Sequence, residues 1–186
     1  MGFRRGFQAE AERIACRIRE KVGLSPIDPL DLAAISTEFE IDILEMTKLP
    51  CDSSLFQSAQ NGKFSAMMAH VGIRSAIVHN DTHHEHRQRS NICHELGHCF
   101  LGHEGCTLMD EDGTRSHNGA IEAEATFLGG ALLLPKDAAL HILKNGLNSQ
   151  ARSIYGISKP MLDYRIRVSG AQIIHARQLA KIARSR

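Results

Sequence analysis

Near the start of the chain, apolar positions recur at helical spacing. Phe7, Ala11, Ile14, Ala15, Ile18 and Val22 share one face, which predicts an amphipathic helix over about 4–22, stopped by Gly23. Asp28-Pro29-Leu30-Asp31 reads as a second helix start, with Asp28 as N-cap and Pro29 in the first turn, continuing to about Phe39. The alternation from Ile41 to Met46 predicts a strand. Residues 47–62 lose any apolar period and hold Pro50, Asn61 and Gly62, the pattern of a long loop. Two short apolar segments, Phe64–His70 and Ile73–His79, flank Val71-Gly72 and are expected to pair as a hairpin in an antiparallel sheet.

Helical spacing returns over about 87–101, ended by Gly102. Residues 103–119 are rich in Gly, Asp, Glu and Asn and read as surface loop. A further helix is predicted over about 120–134, before Pro135, since the residue preceding a proline is pushed out of helical geometry. Short helices follow over about 136–144, 149–155 and 158–168, and a basic helix from Ala171. No internal repeat or low-complexity segment is present. The expected division is a domain over 1–135 and a helical segment over 136–186 that packs on it.

The 186 residues are enough for one domain with a real core and a small appendage, and 42% hydrophobic with 23% charged residues is ordinary for a globular chain. The net charge of +1 argues against bulk electrostatic capture of DNA or of a membrane surface, although 165–186 carries no acidic residue. The N-terminal basic residues have no apolar run behind them, and no stretch approaches the roughly 18 apolar residues of a membrane span. A cytoplasmic location is expected. The five cysteines are odd in number and include no C-x-x-C pair, which fits free thiols.

The sharpest chemical signal is His94-Glu95-Leu96-Gly97-His98 on the predicted 87–101 helix. Two histidines four apart lie one above the other on a helix face and can hold one ion. Zn²⁺ suits neutral imidazoles and leaves a position for water in a catalytic site. Glu95, about 100° further round the helix, sits beside the ion and can serve as the proton-transferring base. Ile92, Leu96, Phe100 and Leu101 imply a half-buried helix rather than a solvated one, and Gly97 lets another backbone approach closely. The third ligand lies elsewhere. The continuation H-E-x-x-H-x-x-G-x-x-H would need Gly at Leu101 and His at Glu104, so it fails, with Gly102-His103 one residue out of step. Glu122 and Glu124, on the next helix, are two residues apart, so one of them is expected to face the ion and the other to be solvated or salt-bridged.

Other residues carry weaker signals. His83, His84 and His86 are read as a polar loop in preference to a second metal site. His103 and His117 are candidates to contact the substrate or the tetrahedral intermediate, with surface histidines as the plainer reading. Cys93 and Cys99 point off the ligand face and are read as small buried hydrophobes in preference to a redox switch. Tyr155 and Tyr164 are given no oxyanion role. Residues 149–170 have helix-turn-helix character, with Gly156 in the turn, Ser158 as N-cap, and Arg165 and Arg167 on the second helix. A packing module that closes the domain is preferred there over DNA binding, because net charge is near zero and arginines are few.

Two blocks of sequence resemble the ImmA/IrrE family of metallopeptidases. The first joins Ile77-Val-His-Asn80 to the run Arg87-Gln-Arg-Ser-Asn-Ile-Cys-His-Glu-Leu-Gly-His-Cys-Phe-Leu-Gly-His103; the second is Ile121-Glu-Ala-Glu-Ala-Thr-Phe-Leu-Gly-Gly-Ala-Leu-Leu-Leu-Pro135. With Phe64-Ser-Ala-Met67, the likeness covers roughly 60–135 and continues more weakly to about 170. It implies Glu122, rather than Glu124, as the third ligand beside His94 and His98. Thr126 stands where the family usually has Asn and Cys93 where it commonly has Ala. Thr126, four residues after Glu122, is within helical reach to orient a ligand. Together these readings give an α+β, zincin-like fold: a small, mostly antiparallel sheet on helices, with a helical C-terminal part. The resemblance further implies a site-specific zinc endopeptidase that cleaves a helix-turn-helix repressor and so switches on stress or mobile-element genes. An extended substrate would lie along a sheet edge beside the active helix, for which Ile73–His79 is the expected strand. A His₂Glu set also accepts Mn²⁺ or Fe²⁺. The alternatives are a non-enzymatic DNA- or partner-binding regulator with a structural or vestigial metal site, and an amidase acting on a small substrate. An intact Glu95 favours an enzyme, since a structural site needs no base.

Overall fold

Each predicted helix and strand finds its element, and local contacts explain several of the boundaries. The computed structural model describes residues 3–50, 64–71, 74–103 and 119–185. Helix α1 spans Phe7–Lys21 and buries Phe7, Ala11, Ala15 and Ile18, the predicted stripe. Gly23, at φ 74°, turns the chain. Helix α2, Leu32–Phe39, starts later than the sequence implied. Asp31, not Asp28, is the N-cap, accepting from the amides of Ala33 and Ala34. Asp28 is already committed: its Oδ2 accepts from the Ser25 amide at 2.7 Å, and its carbonyl accepts from the buried Arg19. Leu30 is thereby pulled into the core before the helix begins.

Three strands follow: β1 (Ile41–Glu45), β2 (Ala66–Val71) and β3 (Arg74–His79). The expected hairpin forms, with β2 antiparallel to β3 and Met68 opposite Ile77. β1, however, pairs parallel to β3, so the sheet is mixed and its order is β1-β3-β2. The expectation that 73–79 forms the edge is therefore overturned. β3 is the central strand, and β2 is the edge beside the active helix. Most of the predicted loop over 47–62, most of that over 103–119, and position 73 lie outside the described residues.

The helical layer consists of α3 (Glu85–Leu101), α4 (Gly119–Leu133), α5 (Lys136–Lys144), α6 (Ala151–Tyr155), α7 (Lys159–Val168) and α8 (Ala171–Arg184). Gly102, in the left-handed region at φ 64°, ends α3 as expected. Ser158 caps α7 by accepting from the Met161 amide. α4 lies at the centre: Phe127 meets Phe7 of α1 edge-on at 5.8 Å between ring centroids, and Leu128, Ala131 and Leu132 are fully buried. The C-terminal helices share this core through Leu162 and Ile166. Arg165 is fully buried; its Nε donates to the Leu134 carbonyl at 2.9 Å and its Nη2 to Glu12 of α1. One of the two arginines that gave this segment its helix-turn-helix character is thus tied into the fold. Among the described residues no single helix is long and apolar enough to cross a membrane.

Candidate metal centre

Two helices make the site, and glycines set their spacing. A Cβ on Gly97 of α3 would lie 2.4 Å from the carbonyl oxygen of Ala125 on α4, and a Cβ on Gly129 of α4 would lie 2.5 Å from the carbonyl oxygen of Cys93 on α3. Neither fits, so the helices touch backbone to backbone at both points. The predicted role of Gly97 is realised. Its counterpart Gly129 carries a weaker sequence signal, the pair Gly129-Gly130 inside an apolar helix, which calls for a packing reason.

This contact carries Glu122 across from α4 to the histidine face of α3. His94 Nε2 lies 3.1 Å from Glu122 Oε2 and 3.1 Å from His98 Nε2, and His98 Nε2 lies 3.6 Å from Glu122 Oε1. A tetrahedral Zn²⁺ with bonds of about 2.0–2.1 Å separates neighbouring donor atoms by about 3.3 Å. The observed spacings bracket that value, and the donors are of the type zinc takes. The three residues could hold a metal ion, and among the described residues no other group of His, Cys, Asp or Glu converges in this way.

Outer contacts orient the imidazoles. Thr126 Oγ1 lies 3.2 Å from His94 Nδ1, the ligand-orienting position expected of it. His103, a candidate substrate contact, lies beside His98. Its Nδ1 lies 3.1 Å from His98 Nδ1, and its Nε2 lies 3.6 Å from Glu124 Oε2. Glu124, the carboxylate passed over for the ion, also pairs with Arg4 at 3.5 Å. His117 lies outside the described residues.

Glu95 is 2% exposed and packs against the sheet edge. Its Oε2 accepts from the backbone amide of Met68 on β2 at 3.1 Å. That amide therefore points away from β3, toward the active helix. A cavity of about 320 Å³ opens alongside, lined by Ala66, His94, Glu95, Thr126, Gly130 and Met161 among others. A carboxylate, an ion-binding cluster and the strand β2 thus converge on one cleft.

The remaining candidates resolve as structural. His84 Nδ1 accepts from the His86 amide and caps α3, while His83 faces Asn91 at 3.4 Å. Cys93 is fully buried and its thiol is pushed up to about 12 by desolvation; burial raises Cys99 as well. Neither thiol favours the thiolate that a redox switch requires. Tyr155 donates its hydroxyl to the Ile27 carbonyl, away from the ion-binding cluster.

Comparison with known families agrees with this geometry. A comparison with curated proteins finds no match. Residues 40–167, about two-thirds of the chain, match the model of the IrrE N-terminal-like domain of peptidase family M78, so the chain belongs to that family, the ImmA/IrrE family its motifs resemble.

Proposed function

We propose that this protein is a cytoplasmic, zinc-dependent endopeptidase whose substrate is a helix-turn-helix transcriptional repressor. Its cleavage would release stress or mobile-element genes from repression. The observation that carries the catalytic part is the convergence of the His94, His98 and Glu122 donor atoms beside the buried Glu95 carboxylate. His94, His98 and Glu122 hold the ion. When bound, zinc polarises the scissile carbonyl and lowers the pKa of an attacking water to about 7. Glu95 takes the proton from that water and delivers it to the leaving amine. Its burial keeps this proton transfer out of bulk solvent, and the Met68 amide fixes the carboxylate against the sheet.

A substrate segment in extended form lies along β2 beside the Met68–Glu95 contact, where main-chain hydrogen bonds bind any sequence and side-chain pockets discriminate. The 320 Å³ cavity receives one substrate side chain next to the scissile bond. Such pairing cannot read a folded helix, so the cleaved bond lies in a linker or loop of the repressor.

The test compares cells producing the wild-type protein with cells producing Glu95→Gln, by mass spectrometry of newly formed N-termini. A repressor fragment present only with the wild type is the expected result. Glu95→Gln should lower cleavage by about 10²- to 10⁴-fold while zinc content holds. A wild type without zinc would overturn the metal centre. Identical termini in both strains would point to a non-enzymatic regulator, and cleavage confined to small amides would overturn the protein substrate.

A further inference from the structure

The cleft beside the ion-binding cluster is not built by α3, α4 and the sheet alone. One of its walls is Met161, which belongs to α7 in the C-terminal segment. The Met161 amide donates to Ser158, the N-cap, so the methionine sits in the first turn of the helix. Arg165, one turn further along the same face, is fully buried and held by the Leu134 carbonyl and by Glu12. That anchorage fixes α7, and the start of the Met161 side chain with it. α4 makes room for the rest. Gly130 bears no side chain, and a Cβ there would lie 2.8 Å from Arg165 Cδ and 3.4 Å from Met161 Sδ. The two helices pack on bare backbone at this point, which brings the thioether to the cleft.

The polar groups that line the same cavity are engaged within the protein. Ser90 donates its hydroxyl to the His86 carbonyl at 3.0 Å, Asn91 donates its side-chain amide to the Ser65 carbonyl at 3.5 Å, and Thr126 faces His94 at 3.2 Å. Glu95 accepts from the Met68 amide. Among the described residues no lysine or arginine lines the cavity. Met161, Ala66 and the glycine backbone of α4 are left to meet what enters it.

We infer that Met161 is a specificity-determining residue, and that this cavity takes an uncharged, apolar substrate side chain of leucine to phenylalanine size beside the scissile bond. An acidic side chain would find no cation there and would be repelled by Glu95. A basic one would compete with the Met68 amide for that carboxylate, and a buried charge without a partner is costly. The thioether is unbranched and polarisable, so it fits apolar groups of different shape and asks for no hydrogen bond. Selectivity should therefore be graded by size, at about 10-fold or more for each methylene gained or lost. The C-terminal segment, whose Arg165 serves packing, thus also supplies a wall of the substrate site.

This inference rests on the peptidase reading, and the experiment separates the two. The probes are N-acylated amino acid hydroxamates. Their hydroxamate group chelates zinc, and their one side chain is varied among alanyl, leucyl, phenylalanyl, aspartyl and lysyl. Affinities are measured by calorimetry on zinc-loaded wild type, Met161→Ala, Met161→Leu and Met161→Trp, with zinc content and thermal unfolding followed for each. In the wild type the leucyl or phenylalanyl compound should bind about 10-fold or more tighter than the other three. Met161→Trp narrows the cavity and should erase that advantage. Met161→Ala widens it and should weaken the leucyl compound relative to the phenylalanyl one. Met161→Leu keeps the volume and should keep the wild-type ratios; should the tryptophan variant fail to fold, the alanine variant decides. A methionine that serves packing alone would change stability and leave every ratio as in the wild type, which would overturn the inference. So would equal affinities across the series, or tightest binding of the aspartyl or lysyl compound, in the wild type. Zinc held tightly with no hydroxamate bound overturns the inference and leaves the metal centre standing. A wild type that holds no zinc overturns the peptidase reading and the inference with it.

Discussion

Helices α4 and α8 are of similar length and have opposite fates. α4 buries eight of its fifteen residues, from Ala125 to Leu133, and touches α3 through bare backbone. α8 buries one residue of fourteen, Ala171, and leaves Ile173, Leu179 and Ile182 more than half exposed between basic side chains. The difference follows from pattern. α4 is apolar on nearly every side, so water is unfavourable around its whole circumference. α8 is amphipathic, and a stripe alone fixes a helix without fixing what covers it. The boundary between the two regimes falls within the C-terminal segment, because Arg165 of α7 is drawn fully into the α1–α4 core while α8 runs off it.

The change expected to break this contrast most is Arg165→Ala. It leaves Glu12 and the Leu134 carbonyl without their partner, and breaking a buried pair costs about 3–5 kcal/mol. Urea unfolding would show it, and a loss under 1 kcal/mol would mean that α7 is an appendage like α8. Next is Gly129→Val. Its Cβ meets the Cys93 carbonyl, a backbone atom that cannot swing aside, so about 1–3 kcal/mol should be lost and zinc content should fall as the helices separate. Thermal unfolding and metal analysis check both effects. Smaller again is Thr126→Val, which keeps the shape and removes the hydroxyl beside His94 Nδ1. Zinc affinity should weaken about tenfold with stability nearly unchanged. The smallest effect is expected on α8: Leu179→Gln and Ile182→Gln should change stability by no more than about 0.5 kcal/mol. A drop above 1 kcal/mol in the isolated protein would show that this face packs against something in solution.

Much of the site was legible because its signals are local. The spacing of His94 and His98, the placement of Glu95 and the burial of the helix all follow from one turn of α3. The choice between Glu122 and Glu124 was not local. Periodicity showed that they face different ways, and only the family likeness selected one; the structure then brings Glu122 to the histidines and Glu124 to His103. The hairpin was legible from two apolar runs and a turn, but the strand order was not. A parallel β1 inserts beside β3 through contacts between residues more than thirty apart, and no local pattern encodes them. The contacts of His103 were not legible, because its sequence position says nothing about direction. It lies just past Gly102, whose left-handed turn swings the side chain back under His98. Asp28 and Asp31 are equally good caps in isolation, and Arg19, reaching from α1, decides between them by claiming the Asp28 carbonyl.

The two glycine contacts between α3 and α4 bear on how this site can drift under mutation. Where helices meet through side chains, their separation is adjustable, since a methyl group can be added on one face and removed from the other. Here the gauge is the radius of a carbonyl oxygen against a Cα hydrogen, which no substitution can shrink. The spacing between the histidine face and Glu122 is therefore insulated from most changes in the surrounding core. It can move in one direction only, outward, whenever a side chain appears at position 97 or 129.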